Sequence, residues 1–246
     1  MSGHSKWSTI KRQKGANDAK RGQAFTKVAN VISLAARLSN SGDPATNPRL
    51  RLALESARSI NMPKENIQRA IDRGLGNLPG QIMEEASYEG YGPGKVAFLV
   101  EAVTDNKNRT LAEVRNLFER SGGGLGSTGS TIYMFDKKGE IRVESQGKDT
   151  DDELLELIDA GATDVEEFQD EEGKKYLVET DPSEVNEVNN KITQLGFKVE
   201  EYGITYKPNI TVTISDKDIE ERVLNLAEKL EDHDDIQKVY ANLSNP

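Results

Sequence analysis

Apolar residues recur at helical spacing early in the chain and at strand spacing later. Phe25, Val28, Ile32 and Ala35 fall at i, i+3, i+7 and i+10, one face of a helix that runs from Ala24 to about Leu38. The Gly/Asp/Pro-rich stretch Asn40 to Asn47 ends it. Pro48 suits the first turn of a second helix, which carries Leu50, Ala53, Leu54 and Ala57 inward and Arg51, Glu55 and Arg58 outward. A third helix starts at Pro63, with Ile67, Ala70 and Ile71 inward, Lys64, Arg69 and Arg73 on the exterior, and Gly74 as its C-terminal glycine. The first 75 or so residues thus read as a small helical bundle.

Beyond a Gly/Pro linker at 74–80 the pattern turns to strands and helices in alternation. Val96 to Val100 reads as a buried strand, Leu111, Val114, Leu117 and Phe118 as the stripe of a helix, and Ile132 to Phe135 as a further strand. From 140 the order is strand Ile141–Val143, helix Leu154–Asp159, strands Val165–Phe168 and Tyr176–Glu179, helix Ser183–Leu195 and strand Lys198–Tyr206, a ferredoxin-like β-α-β-β-α-β. The tail adds a strand Ile210–Ile214, a helix bearing Ile219, Val223, Leu226 and Leu230, and a strand Ile236–Tyr240. The expectation is an α+β protein: a helical domain at 1–78, then two ferredoxin-like α+β domains, one (137–206) inserted in the other (79–136 plus 207–246).

Charge sharpens this division. The net charge of −10 is unevenly spread: residues 1–80 hold 14 Lys/Arg against 5 Asp/Glu, and the remainder holds 18 against 37. Charges on separate domains lie mostly beyond the Debye length of ~8 Å, so a basic module can face phosphates while acidic ones keep the chain soluble. Docking of the basic part on the acidic ones is the alternative, and the two are compatible. With no cysteine, no disulfide, thiolate metal site or cysteine nucleophile can be drawn. The polar, basic start and the lack of any run of ~18 apolar residues point to a cytoplasmic protein without a spanning helix.

Catalytic patterns are scarce. Gly124-Leu125-Gly126-Ser127-Thr128-Gly129 matches G-x-G-x-x-G, but it follows a helix and precedes a strand, the reverse of what a dinucleotide site needs. His4 lies in a basic arm with no partner to orient it as a base. His233, within Glu231-Asp232-His233-Asp234-Asp235, reads as part of a polar helix-to-strand turn rather than a cation site. No catalytic residue, cofactor or metal site is expected. The chemistry left is polyanion binding: Lys6, Lys11, Arg12, Lys14, Lys20, Arg21 and Lys27, with Arg49 and Arg51 behind them, can neutralise phosphates, and Trp7 can stack on a base or anchor the arm on the helices.

Several stretches carry a resemblance: Gly3-His4-Ser5-Lys6-Trp7, Asp18-Ala19-Lys20-Arg21-Gly22, Asn47-Pro48-Arg49-Leu50-Arg51, Asn61-Met62-Pro63-Lys64, Tyr88-Glu89-Gly90-Tyr91-Gly92-Pro93-Gly94, Thr104-Asp105-Asn106 and Asn108-Arg109-Thr110. In this order they resemble the YebC family over the whole chain. The resemblance implies a helical N-terminal domain followed by two α+β domains, no catalysis, and the role of a DNA-binding transcriptional regulator. Mitochondrial relatives act as translational activators, and bacterial ones are connected with ribosomes stalled on proline-rich stretches. The family arm often reads Ile-Lys-His-Arg-Lys, whereas Ile10-Lys11-Arg12-Gln13-Lys14 lacks that histidine and keeps the charge; Ser39-Asn40-Ser41 departs from the usual loop. Three functions stay open: a DNA-binding transcriptional regulator, a ribosome-associated RNA-binding translation factor, and a scaffold whose acidic lobes bind a basic protein.

Overall fold

The computed structural model describes residues 18–78, 82–170 and 173–244, with side chains from Gly22 onward. The chain forms two compact units, one spanning 134–211 and the other built from the residues before and after it. Each contains one four-stranded sheet, so the mixed helix-and-sheet class expected from the sequence holds. No helix among the described residues is long and apolar enough to cross a membrane.

The larger unit begins with three helices, α1 (Asp18–Ser39), α2 (Pro48–Ser59) and α3 (Lys64–Gly74). Helix α1 starts at Asp18, six residues before Ala24, where the apolar spacing placed its start. Ile32, Ala35, Leu50, Ala53, Ala57, Ala70 and Ile71 form their shared core. Asn47 is 2% exposed and caps α2, its Oδ1 accepting from Leu50 N at 3.0 Å while Nδ2 donates to Ala35 O at 3.0 Å and Ser41 O at 3.1 Å. At Gly74 the helices approach so closely that a Cβ would lie 2.3 Å from Ser33 O, so contact is what requires glycine there; the left-handed residue that ends α3 is not Gly74, as expected from the sequence, but Gly76, at φ +76°. Arg73, expected on the exterior, is half-buried instead: Nε donates to Ser33 Oγ at 3.0 Å, and Nη2 donates to Asn30 Oδ1 at 3.0 Å and Ala29 O at 3.3 Å.

The same unit continues with β1 (Glu84–Tyr91), β2 (Ala97–Thr104), α4 (Lys107–Ser121) and β3 (Gly124–Leu125), and ends with α7 (Lys217–Glu231) and β8 (Ile236–Ala241). The sheet order is β3-β1-β2-β8, all antiparallel. Its connections, β-β-α-β and then α-β, differ from the order in the inserted unit. Gly94, at φ +64°, makes the left-handed turn between β1 and β2. Phe98 of β2 meets Phe118 of α4 edge to face, centroids 5.7 Å apart. Val31 and Leu34 of α1 pack on Met83 and Val103, joining the helices to the sheet.

The inserted unit runs β4 (Phe135–Glu144), α5 (Thr150–Asp159), β5 (Asp164–Asp170), β6 (Gly173–Thr180), α6 (Val185–Gln194) and β7 (Val199–Pro208), with sheet order β5-β6-β4-β7. This is the β-α-β-β-α-β order expected from the sequence. Two strand expectations are corrected. Residues 132–134 form a 3-10 turn, and the strands expected at Ile132–Phe135 and Ile141–Val143 are one turn plus one continuous strand, β4. No strand forms at Ile210–Ile214, where Val212 makes only an isolated bridge to Leu243.

Candidate nucleic-acid interface

The residues expected to bind phosphate fall into three groups. Lys6, Trp7, Lys11, Arg12 and Lys14 lie outside the described residues, and Lys20 and Arg21 stand in the first turn of α1 with their side chains outside them as well. Lys27 is engaged within the protein: its ammonium donates to the carbonyl of Glu231 at the C-terminus of α7, the negative end of that helix dipole. Arg49 and Arg51 are surface residues with local partners. Arg49 pairs with Glu85 at 2.7 Å, both side chains more than half exposed, and Arg51 Nε donates to Pro44 O at 3.2 Å.

Helices α2 and α3 present other cations that the sequence reading placed on helix exteriors without assigning them a role. Arg58, Lys64 and Arg69 are exposed and hold no carboxylate among the described residues, unlike Arg49. Spacing alone cannot find such residues, because it does not tell which cation a distant carboxylate has already claimed. The free ones flank the turn at Ile60–Pro63 that joins α2 to α3.

A second concentration of charge lines an open cleft of about 650 Å³ between α1, the start of α4 and the turn after α7. Here the residues of Thr104-Asp105-Asn106 and Asn108-Arg109-Thr110 converge. Asn106 caps α4, its Oδ1 accepting from Arg109 N at 3.1 Å. Asp235 is 7% exposed, and its Oδ2 accepts from Thr110 Oγ1 at 2.6 Å, Arg109 Nη2 at 2.9 Å and Thr104 Oγ1 at 3.0 Å. Burial alone would push this carboxyl up, but the bonds from Thr110, Arg109 and Thr104 outweigh it and hold it below the ordinary carboxylate value.

His233 is not a merely solvated turn residue: Nδ1 accepts from Asp235 N at 3.1 Å and Nε2 sits 2.8 Å from Glu113 Oε2. That pattern places the ring proton on Nε2. Glu113, His233 and Asp235 offer ligand atoms within 4.8 Å of one another, a spacing that a divalent cation could bridge. Each, however, is already satisfied by a protein partner, and Arg109 brings a competing positive charge.

A third polar cluster sits under the glycine-rich loop. Glu89 of β1 is 5% exposed and accepts from Gly129 N and Thr131 N at 2.7 Å, Ile132 N at 2.9 Å and Thr131 Oγ1 at 3.3 Å. Desolvation raises this carboxyl, and the four donors together lower it further than burial raises it. The last glycine of the G-x-G-x-x-G match, Gly129, thus donates its N–H to a carboxylate of the protein itself, so this N–H is not open to a pyrophosphate.

Known proteins align with this architecture from end to end. Residues 5–77 match the family described as the TACO1/YebC protein N-terminal domain, and residues 83–243 match the TACO1/YebC second and third domain. A probable transcriptional regulatory protein of Dictyoglomus thermophilum is 47% identical, the match covering 100% of this chain and 97% of that one. One from Trichlorobacter lovleyi is 49% identical over 98% of this chain and 95% of its own length. The crystal structure of a conserved hypothetical protein from Aquifex aeolicus superposes with a TM-score of 0.87 at 42% identity, covering 98% of this chain and 97% of that one. The chain belongs to the TACO1/YebC family.

Proposed function

We propose that this protein is a non-enzymatic regulator of gene expression that binds nucleic acid, DNA in the first instance, through its basic N-terminal helical segment, residues 1–78. The observation that carries this reading is the set of exposed cations on α2 and α3, Arg58, Lys64 and Arg69, in a stretch where Lys/Arg outnumber Asp/Glu 14 to 5 over residues 1–80. Lys6, Lys11, Arg12, Lys14, Lys20 and Arg21 extend that surface in sequence. Lys27 is not part of it, since its ammonium serves α7. The name borne by the relatives, probable transcriptional regulatory protein, agrees with such a role. The acidic remainder repels phosphate and confines binding to one end of the sequence.

Cations of this kind position a polyanion without reading its sequence, so affinity should fall steeply with salt. If six phosphates are neutralised, log K against log[salt] has a slope of about −5, and a fourfold rise in salt costs roughly a thousandfold in affinity. Fluorescence polarisation with labelled duplex DNA across a salt series measures this directly. The double substitution Lys11→Glu, Lys14→Glu should abolish binding while leaving the circular dichroism spectrum unchanged. Undiminished binding by that variant would remove the N-terminal segment from the interface.

A further inference from the structure

The cleft between α1, the start of α4 and the turn after α7 encloses about 650 Å³, within the ~300–1,000 Å³ of small-molecule sites. Asn30 of α1 lines it and is only 6% exposed. Arg73 fixes which way this amide faces, because its Nη2 donates to Asn30 Oδ1 at 3.0 Å. Asn30 Nδ2 is therefore the atom left over, and it has no acceptor among the described residues. A buried amide donor in that position is unfavourable until something supplies an acceptor. Behind it, Arg73 donates to Ser33 Oγ, Ala29 O and Asn30 Oδ1, all of them neutral atoms. Its charge thus meets no carboxylate at ion-pair distance among the described residues, and a half-buried cation of this kind attracts an anion. Burial lowers the pKa of this guanidinium and Asp105 raises it, so the Asp105 carboxylate stands nearby without touching it.

The rest of the lining is acidic. Asp105, Glu113, Asp232, Asp234 and Asp235 stand against Arg73 and Arg109, five carboxylates to two guanidiniums, a charge of −3 with His233 counted as neutral. Arg109 is already neutralised by Asp105 and Asp235. Asp232 and Asp234 are exposed and their side chains hold no cation among the described residues. The ligand that meets both ends of the cleft carries one carboxylate and more than one cationic group. We infer that the cleft binds a free basic α-amino acid, arginine or lysine, with its carboxylate on Asn30 Nδ2 and facing Arg73, its α-ammonium on Asp105 and its side-chain cation between Asp232 and Asp234. The methylenes lie along the buried Met83. An acidic amino acid is repelled by the lining, an apolar one leaves Asp232 and Asp234 unused, and a polyamine brings no acceptor to Asn30. None of these groups belongs to the exposed cations of α2 and α3, so the inference goes beyond the nucleic-acid reading and does not depend on it.

The test is isothermal titration calorimetry on the full chain with L-arginine and L-lysine, in the absence of nucleic acid. Two further probes each lack one recognised group: agmatine is arginine without its carboxylate, and L-norleucine is lysine without its side-chain cation. Arginine and lysine are expected to bind, agmatine at least tenfold more weakly than arginine and norleucine at least tenfold more weakly than lysine, the scale of one lost charge-assisted contact. Asn30→Asp keeps the acceptor for Arg73 and sets a repelling oxygen where the free donor was. It should weaken arginine at least tenfold and leave agmatine no weaker. Asp232→Asn with Asp234→Asn alters two exposed side chains outside the core, so this variant keeps its fold and gives a reading even where Asn30→Asp destabilises the protein. It should weaken lysine at least tenfold and norleucine not at all. Absence of binding by either amino acid, agmatine bound as tightly as arginine, or lysine bound at full strength by the double variant would each overturn the site.

Discussion

Glu89→Gln isolates what the buried carboxylate under the glycine-rich loop contributes. In the native protein both oxygens accept: Oε1 from Gly129 N, and Oε2 from Thr131 N, Ile132 N and Thr131 Oγ1. A glutamine amide in the same place keeps one acceptor. Its favoured orientation sets the oxygen against Thr131 and Ile132 and turns the NH2 towards the Gly129 N–H, donor against donor. Hydrogen bonds to charged groups contribute ~1.5–3 kcal/mol, and a buried N–H without an acceptor costs ~1–3 kcal/mol, so the substitution should weaken the loop by about 3 kcal/mol. In hydrogen exchange that is roughly a hundredfold loss of protection, read at the amides of Gly129, Thr131 and Ile132. A melting point lower by about 6–12 °C should accompany it. The carboxyl is held below its ordinary value of 4.5. Its contribution is therefore fully present above that value and lost as pH falls through the lower folded one. Acidification below about pH 4 should narrow the gap between the two proteins. Protection within threefold of the native level, or a gap that stays constant with pH, would refute the assignment.

Three further outcomes can be checked on purified variants. Arg58→Glu with Lys64→Glu should make the salt slope of DNA binding shallower by about 2, without moving the melting point by more than the equivalent of ~0.5 kcal/mol; an unchanged slope places the phosphates elsewhere. Asn47→Ala removes the cap of α2 together with the Nδ2 donations to Ala35 O, Ser39 Oγ and Ser41 O that tie it to the end of α1 and the loop after it. It should cost about 2 kcal/mol in chemical denaturation. In the inserted unit Glu153 is fully buried and accepts from Gln146 N at 2.6 Å and from Ser145 Oγ and Tyr176 Oη at 2.7 Å. Desolvation raises its carboxyl and these donors lower it further than burial raises it. Tyr176→Phe should therefore cost about 2 kcal/mol by withdrawing one bond to a charge, and circular dichroism melts would show it.

What the sequence revealed depended on whether the information was local. The helices at Pro48 and Lys64, with Leu50, Ala53, Ala70 and Ile71 turned inward, announce themselves by period and by their terminal residues. The β-α-β-β-α-β order of the inserted unit was equally legible, since its strands and helices alternate at short range. The merging of Ile132–Val143 into a turn and one strand was not, because Asp136-Lys137-Lys138-Gly139-Glu140 looks like a loop until its two neighbouring strands are known. The fate of individual charges was least visible. Lys27 finds Glu231 at a separation of 204 residues and Arg49 finds Glu85 at 36, so counting cations overstated what remains for a partner. The same blindness hid Glu89 and Asp235, acidic residues in polar stretches that folding turns into buried acceptors.

The inserted unit opens and closes at one place. Phe135 pairs with Pro208 at the ends of β4 and β7, and Asn209 N donates to Met134 O at 2.9 Å while its side chain holds Asp136 at 2.8 Å. Chain entry and exit are thus buttoned together at the width of one strand pair, about 5 Å. A host that receives an insert this way needs only a short bridge in its place, since closing so narrow a gap carries little loop entropy. The module is interchangeable in principle: trimming, enlarging or replacing it leaves the connectivity of the surrounding fold untouched.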